Sequence, residues 1–369
     1  MYTQGTANIR QFLTRRSAKL GIPVSGTFEL TPRCNLQCKM CYVRLTPAQM
    51  EPIGRELTAA QWLELARQAR EAGMAFLLIT GGEPTLRRDF CEIYEGLAQM
   101  GFSISVNTNG TMLTPQLRAL WHRLPPAQVN VTLYGISREG YHSLCGNPDA
   151  FDAVMDGLNW LKAEGILTHL NTTMTPANYS QWQQIEKFAE TMELKLRMTT
   201  YCFPPLRRGE GGACGDFSRL SPEDAAELAL QDILHQEGMG GIQKRFLGMD
   251  TPHADSCSLD VGEPMQCMAG KSQFWVTWDG RLMPCGMLDT PAVSLKNHDT
   301  PFSTAWEQLR RESSEIRLCA DCIQCRDRGT CLNCAAVTYT ETGRFDGKPD
   351  YMCRYSKAYR EILTQMAEK

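Results

Sequence analysis

The sequence predicts an α/β protein: a partial (β/α)6 barrel followed by a small cysteine-rich C-terminal domain held together by metal. Three observations predict it. From about residue 26 to 200, short strand-like runs alternate with amphipathic stretches of helix length. The alternation is regular, which favours a barrel over an open doubly wound sheet. The cysteines, 16 in 369 residues, are unevenly placed, with three at 34–41 and nine between Cys257 and Cys353.

Residues 1–25 form an N-terminal extension. It has scattered arginines but no continuous apolar run of the kind a secretory signal needs. Ile9–Leu20 reads as a frayed terminus, with a short docking helix as the alternative. The barrel spans 26–236. Its strands are Gly26–Leu30, Ala75–Ile79, Ser103–Val106, Val129–Leu133, His169–Thr173 and Lys195–Thr199. Its helices are Thr58–Glu71 with Thr58 as N-cap, Leu86–Gln99, Thr114–His122 with Pro115 at the first helical position, Phe151–Ala163 and Tyr179–Met192. Ser221–Gln236 adds a helix, with Ser221 as cap and Pro222 following it. Glu237–Gly248 holds four glycines, so 237–256 reads as a linker. Residues 257–355 form the cysteine-rich domain and 356–369 a closing helix.

Composition narrows the function. Hydrophobic residues are 43% of the chain, enough for a sizeable core, and the net charge is −3. That balance gives no electrostatic footprint for nucleic acid. No apolar run approaches the ~20 residues of a membrane span. A cytoplasmic protein is expected, and in a reducing cytosol so many cysteines point to metal rather than disulfides. The isolated Cys91, Cys145, Cys202 and Cys214 read as small buried apolar residues.

Cys34, Cys38 and Cys41 follow the first strand with spacing C-x3-C-x2-C and no fourth cysteine close by. Three thiolates hold three corners of a [4Fe–4S] cube, where a fully protein-held cube takes four. One iron is left for a small molecule. After the second strand comes Thr80-Gly81-Gly82-Glu83-Pro84. Two glycines permit close backbone approach, Glu83 can accept from an ammonium group, and Pro84 stiffens the turn.

On these two motifs, in this order, the chain resembles the radical S-adenosylmethionine (radical SAM) superfamily over roughly residues 26–200. The resemblance implies a TIM-like partial barrel. It also implies that SAM chelates the open iron and is reductively cleaved to a 5′-deoxyadenosyl radical, which abstracts hydrogen from substrate. Carried over by position, Cys34, Cys38 and Cys41 hold the cluster, and Met40 replaces the usual aromatic near adenine. Gly81, Gly82, Glu83 and Pro84 form the turn that receives the SAM amino group. Asn109 lies where the family contacts the ribose, and Thr132 where many members place a serine near the SAM carboxylate. An arginine often found about a dozen residues later is missing, and Leu144 and Cys145 lie there.

The second constellation is Cys267-x12-Gly280-x4-Cys285, then Cys322-x2-Cys325-x5-Cys331-x2-Cys334, then Cys353. By spacing alone a zinc ribbon fits as well as iron and sulfur. Behind a radical SAM core the set resembles a SPASM extension, which implies two auxiliary [4Fe–4S] clusters, with one departure: the last interval is x2 where x3 is usual. The resemblance assigns Cys322, Cys325, Cys331 and Cys353 to the distal cluster. Cys267, Cys285 and Cys334 go to the proximal one, with Cys257 as its fourth ligand or an open iron instead. Cys319 is a spare that can swap with Cys322. Trp275 and Trp278 flank the Gly280 turn as small-domain core. Arg207 and Arg208 read as solvated loop residues, with substrate anchoring as the alternative. His122, His142 and His253 have no catalytic partner spacing, and no catalytic acid or base is identified.

The implied activity is that of a peptide maturase that crosslinks a ribosomally made peptide through a thioether or C–C bond, with flavodoxin or ferredoxin as electron donor. About 25 residues precede the first strand, against ~80 for the leader-binding domain many such enzymes carry, so leader binding, if needed, is expected from a separate protein or from another surface. The alternatives are radical modification of a small metabolite or cofactor precursor, anaerobic sulfatase maturation, and a non-enzymatic iron–sulfur electron carrier. Sulfatase maturation ranks low because the aspartate usual after the Cys285 position is Gly286 here, with Asp289 further on.

Overall fold

Five of the barrel helices begin at a hydroxyl side chain that takes a free amide of the first turn. Thr46, Thr58, Thr114, Ser137 and Ser221 accept from the backbone N–H of Gln49, Gln61, Leu117, Gly140 and Asp224 at 3.0–3.3 Å. The structure is a computed structural model that describes residues 3–208, 218–249, 262–296 and 300–368. The barrel segment runs α1 (Thr3–Leu20), β1 (Ser25–Glu29), α2 (Pro47–Met50), α3 (Ala59–Glu71), β2 (Phe76–Thr80), α4 (Phe90–Gln99), β3 (Ser103–Thr108) and α5 (Pro115–Arg123). It continues with β4 (Gln128–Thr132), α6 (Arg138–Cys145), α7 (Ala150–Ala163), β5 (Thr168–Thr173), α8 (Trp182–Thr191), β6 (Lys195–Thr199) and α9 (Pro222–Gly248). The C-terminal segment adds β7 (Glu263–Pro264), β8 (Gln273–Val276), β9 (Arg281–Met283), β10 (Val293–Ser294), α10 (Phe302–Ser314), β11 (Arg317–Leu318), α11 (Ala335–Thr342) and α12 (Asp350–Ala367).

The main sheet has nine strands in the order β10-β9-β8-β1-β2-β3-β4-β5-β6 and does not close. Strands β1 to β6 pair in parallel, each with its neighbour in sequence. The β8–β9 hairpin, turned at Gly280 with φ +81, joins the same sheet, because β8 pairs in parallel with β1 from Ser25↔Gln273 to Phe28↔Val276. The cysteine-rich segment is thereby built onto the barrel's first strand. On β1, Phe28 is fully buried against Trp62 of α3, ring centroids 5.0 Å apart. Strand alternation then turns Thr27 and Glu29 to the opposite, inner face.

Some expectations give way to tertiary packing. The stretch 237–248, expected as a linker, is the second half of α9, with its one non-helical residue at Gly238 (φ 65). Glycines cost a helix ~1 kcal/mol each, but Leu230, Ile242 and Leu363 form a buried cluster between α9 and α12, and Arg245 pairs with Glu237 at 2.9 Å. The N-terminal stretch, expected as frayed, is helical from Thr3, with Thr14 and Ser17 buried and the Arg10 guanidinium 4.9 Å from the Phe76 ring centroid. Helices α6 and α10 were not anticipated, and the closing helix starts earlier than expected, at Asp350. Cys214, His253 and Cys257 lie outside the described residues.

Candidate active site

The loop after β1 carries Cys34, Cys38 and Cys41, and three neighbouring elements brace it. The carbonyls of Cys145 and Leu144, at the end of α6, accept from Gln37 and Lys39 N–H at 3.0 and 3.2 Å. From the loop after β3, Asn109 Nδ2 donates to Asn35 Oδ1 at 2.9 Å and approaches Cys34 Sγ at 3.7 Å. Tyr134, beyond β4, hydrogen-bonds Cys38. Backbone N–H groups of Leu36 and Arg44 point at the sulfurs of Cys34 and Cys41, at 3.4 and 3.2 Å. Burial pushes the Cys34 thiol up to about 12. Contact with Cys145, then burial, holds Cys38 well above its ordinary range. Thiols in such surroundings ionise when a metal replaces the proton, and sulfurs with N–H donors aimed at them fit cluster ligation.

The two glycines after β2 have a different partner from the one the sequence suggests. A Cβ on Gly81 would stand 2.5 Å from the Thr31 carbonyl oxygen, and one on Gly82 2.4 Å from that of Arg33. The glycines let this turn press onto the backbone that enters the cysteine loop, where Gly82 and Glu83 N–H donate to Thr31 and Arg33 carbonyls at 2.7 and 2.8 Å. The fully buried Glu83 accepts from Thr85 N–H and Oγ1, Thr108 Oγ1 and Asn109 N–H at 2.5–3.1 Å. Its carboxylate locks the β2 loop to the β3 loop rather than standing free for an ammonium group. Pro84 opens a 3-10 turn, while Met40 packs against the core partly buried and Thr132 ends β4 half-buried.

In the C-terminal segment, Cys322, Cys325, Cys331 and Cys353 line one cavity of about 400 Å³, and Cys319 is not among its lining residues. Cys267, Cys285 and Cys334 interact electrostatically with one another, and burial lifts Cys285 to about 11. Among the described residues, no group of three or more His, Cys, Asp or Glu is arranged around a single metal ion.

Sequence reasoning named Arg207 and Trp275 but missed that both pair with Glu29. Arg207 is buried rather than solvated, its side chain 8% exposed, and pairs through both terminal nitrogens with Glu29, itself 1% exposed, at 2.7 and 3.3 Å. Trp275 Nε1 donates to the same carboxylate at 2.9 Å. Tyr42 feels Arg207, Glu29, Cys41 and Cys285 electrostatically, and burial raises its pKa. The available signal was Glu29 itself, a charged residue in a strand expected to be buried on both faces.

Comparison with known proteins agrees with this geometry. Residues 28–189 match the model of the Radical SAM superfamily. The AdoMet-dependent heme synthase of Methanosarcina barkeri is 25% identical over 347 residues, 89% of this chain and 95% of that protein. The PqqA peptide cyclase of Gluconobacter oxydans is 26% identical over 361 residues, 94% of each. In fold, the chain resembles Streptococcus suis SuiB bound to its precursor peptide SuiA, with TM-score 0.68 at 16% identity, covering 94% of this chain and 80% of that one. That family carries a [4Fe–4S] cluster and SAM, and no helix among the described residues is long and apolar enough to cross a membrane. Residues 28–189 of this chain therefore form a radical SAM domain.

Proposed function

We propose that the protein is a peptide maturase that crosslinks a ribosomally made peptide through a thioether or C–C bond. The observation that carries this reading is the match to a peptide cyclase over 94% of both chains, cysteine-rich segment included. The fold shared with SuiB, a structure with a precursor peptide bound, supports it. Cys34, Cys38 and Cys41 would hold a [4Fe–4S] cluster, which would supply the reducing electron for SAM cleavage.

The chain's own residues set the frame. Asn109, Leu144 and Cys145 fix the cysteine loop, while the Gly81–Pro84 turn forms the adjoining wall and leaves SAM's ammonium to main-chain acceptors. Met40 and Thr132 complete the SAM site. Cys322, Cys325, Cys331 and Cys353 hold a distal auxiliary cluster in their shared cavity. Cys267, Cys285 and Cys334 hold a proximal one, with Cys257 as its fourth ligand. Flavodoxin or ferredoxin supplies electrons.

The heme synthase similarity over 89% of the chain favours a second reading, radical modification of a tetrapyrrole or another cofactor precursor. Sulfatase maturation is disfavoured at Gly286, where an aspartate side chain would collide with Trp275. The deciding experiment incubates anaerobic, SAM-loaded enzyme and reductant with the encoded neighbouring peptide, and with an iron tetrapyrrole in parallel. A peptide product lighter by two hydrogens supports the maturase. An unchanged peptide beside a converted tetrapyrrole overturns it.

A further inference from the structure

Arg207 has five N–H donors. Two face Glu29 from its terminal nitrogens. Its Nε is buried without a hydrogen-bond partner among the described residues. A buried guanidinium donor left unpaired is costly and uncommon. Tyr42, adjacent to Cys41 in sequence, feels Arg207, Glu29 and Cys285 as well as Cys41. Trp275, on β8, hydrogen-bonds Glu29 and packs on Gly286, next to Cys285. Glu29, Arg207 and Trp275 therefore lie between the first cysteine loop and the Cys285 loop.

The charges indicate what the spare donor takes. Glu29 already balances Arg207, and the buried Asp279 lies within its electrostatic reach. Cys41 and Cys285 add negative sulfur when metal-bound. A second carboxylate would enter an already compensated, anionic surrounding. A neutral carbonyl oxygen satisfies the donor with no added charge. We propose that Arg207, positioned by Glu29 and Trp275, donates its free Nε–H to an amide carbonyl of the substrate peptide and so fixes that peptide between the two cysteine groups. This rests on the peptide reading of the function.

The test measures binding without turnover. Ligand-observed saturation-transfer NMR on the SAM-loaded holoenzyme uses two probes, N-acetylglycine methylamide and propionate. The expected result is transfer to the amide and little to propionate. Arg207→Lys keeps a cation for Glu29 but lacks the Nε donor, and at wild-type iron content it lowers amide transfer at least fivefold. Glu29→Gln leaves the guanidinium charge unbalanced and switches the preference to propionate, which a merely structural ion pair would not do. If Arg207→Lys loses iron, the wild-type comparison and the Glu29→Gln switch decide. Propionate preferred by the wild type, no transfer to either probe, or an unchanged preference in Glu29→Gln overturns the proposal. Amide transfer beside an unmodified peptide would instead count against the peptide maturase alone.

Discussion

The Trp275 indole lies against Gly286 so closely that a Cβ on that glycine would stand 2.6 Å from the ring. Its Nε1–H reaches across to Glu29 on β1 at 2.9 Å. One side chain thus ties the Cys285 loop to the inner face of the barrel. Gly286→Ala forces the ring or the loop to move, an overpacking cost of about 1–3 kcal/mol. In a Trp275→Phe background the smaller ring leaves room, and the same substitution costs about 1 kcal/mol or less. Urea denaturation of the four proteins measures both values, and equal costs in the two backgrounds would contradict the contact.

Cys322 lines the same cavity as Cys325, Cys331 and Cys353, and Cys319 does not line it. Three [4Fe–4S] clusters give about twelve irons per chain, and Cys322→Ala lowers that to about eight. Cys319→Ala leaves it unchanged. Iron analysis after anaerobic purification checks this, and loss of iron from the Cys319 variant would reverse the assignment.

Glu83 has two backbone and two hydroxyl donors aimed at its carboxylate. In Glu83→Gln the amide nitrogen cannot accept, so a buried N–H or hydroxyl loses its partner at a cost of about 1–3 kcal/mol. Thermal denaturation should show the loss, and weaker SAM binding should accompany it because the β2 and β3 loops part.

Glu186 on α8 is 3% exposed, and burial, then the Asp232 carboxylate, pushes its pKa up to about 8. Glu190 adds a further like charge, and His235 Nδ1 stands 3.5 Å away. The folded chain keeps a proton that the unfolded chain releases near pH 4.5, so this group's contribution to stability falls as pH rises from there through about 8. Glu186→Gln removes the charge and raises stability at pH 8.5, with no gain at pH 4. A hollow of about 340 Å³ beside it admits water, which limits the gain to on the order of 1–2 kcal/mol. Melting curves at the two pH values test the sign.

Much of the barrel was legible because its signals are local. Lys195–Thr199 is the same strand in sequence and structure, and Thr58 caps the helix it was expected to cap. The cysteine spacings mark loops for the same reason. What was not legible depends on partners distant in sequence. The second half of α9 is helical because α12 lies against it, despite its glycines. Gly81 and Gly82 read as ligand-facing, yet they are small because Thr31 and Arg33 press on them. Arg207 read as solvated because nothing near it in sequence announces Glu29, 178 residues earlier.

The central claim is that Cys34, Cys38 and Cys41 hold a cluster that cleaves SAM. It is tested most directly by the 5′-deoxyadenosine released when anaerobic protein meets dithionite and SAM. Wild type should release it, and the Cys34→Ala, Cys38→Ala, Cys41→Ala triple variant should release none while keeping the iron of its C-terminal cysteines. A triple variant that still cleaves SAM would contradict the account.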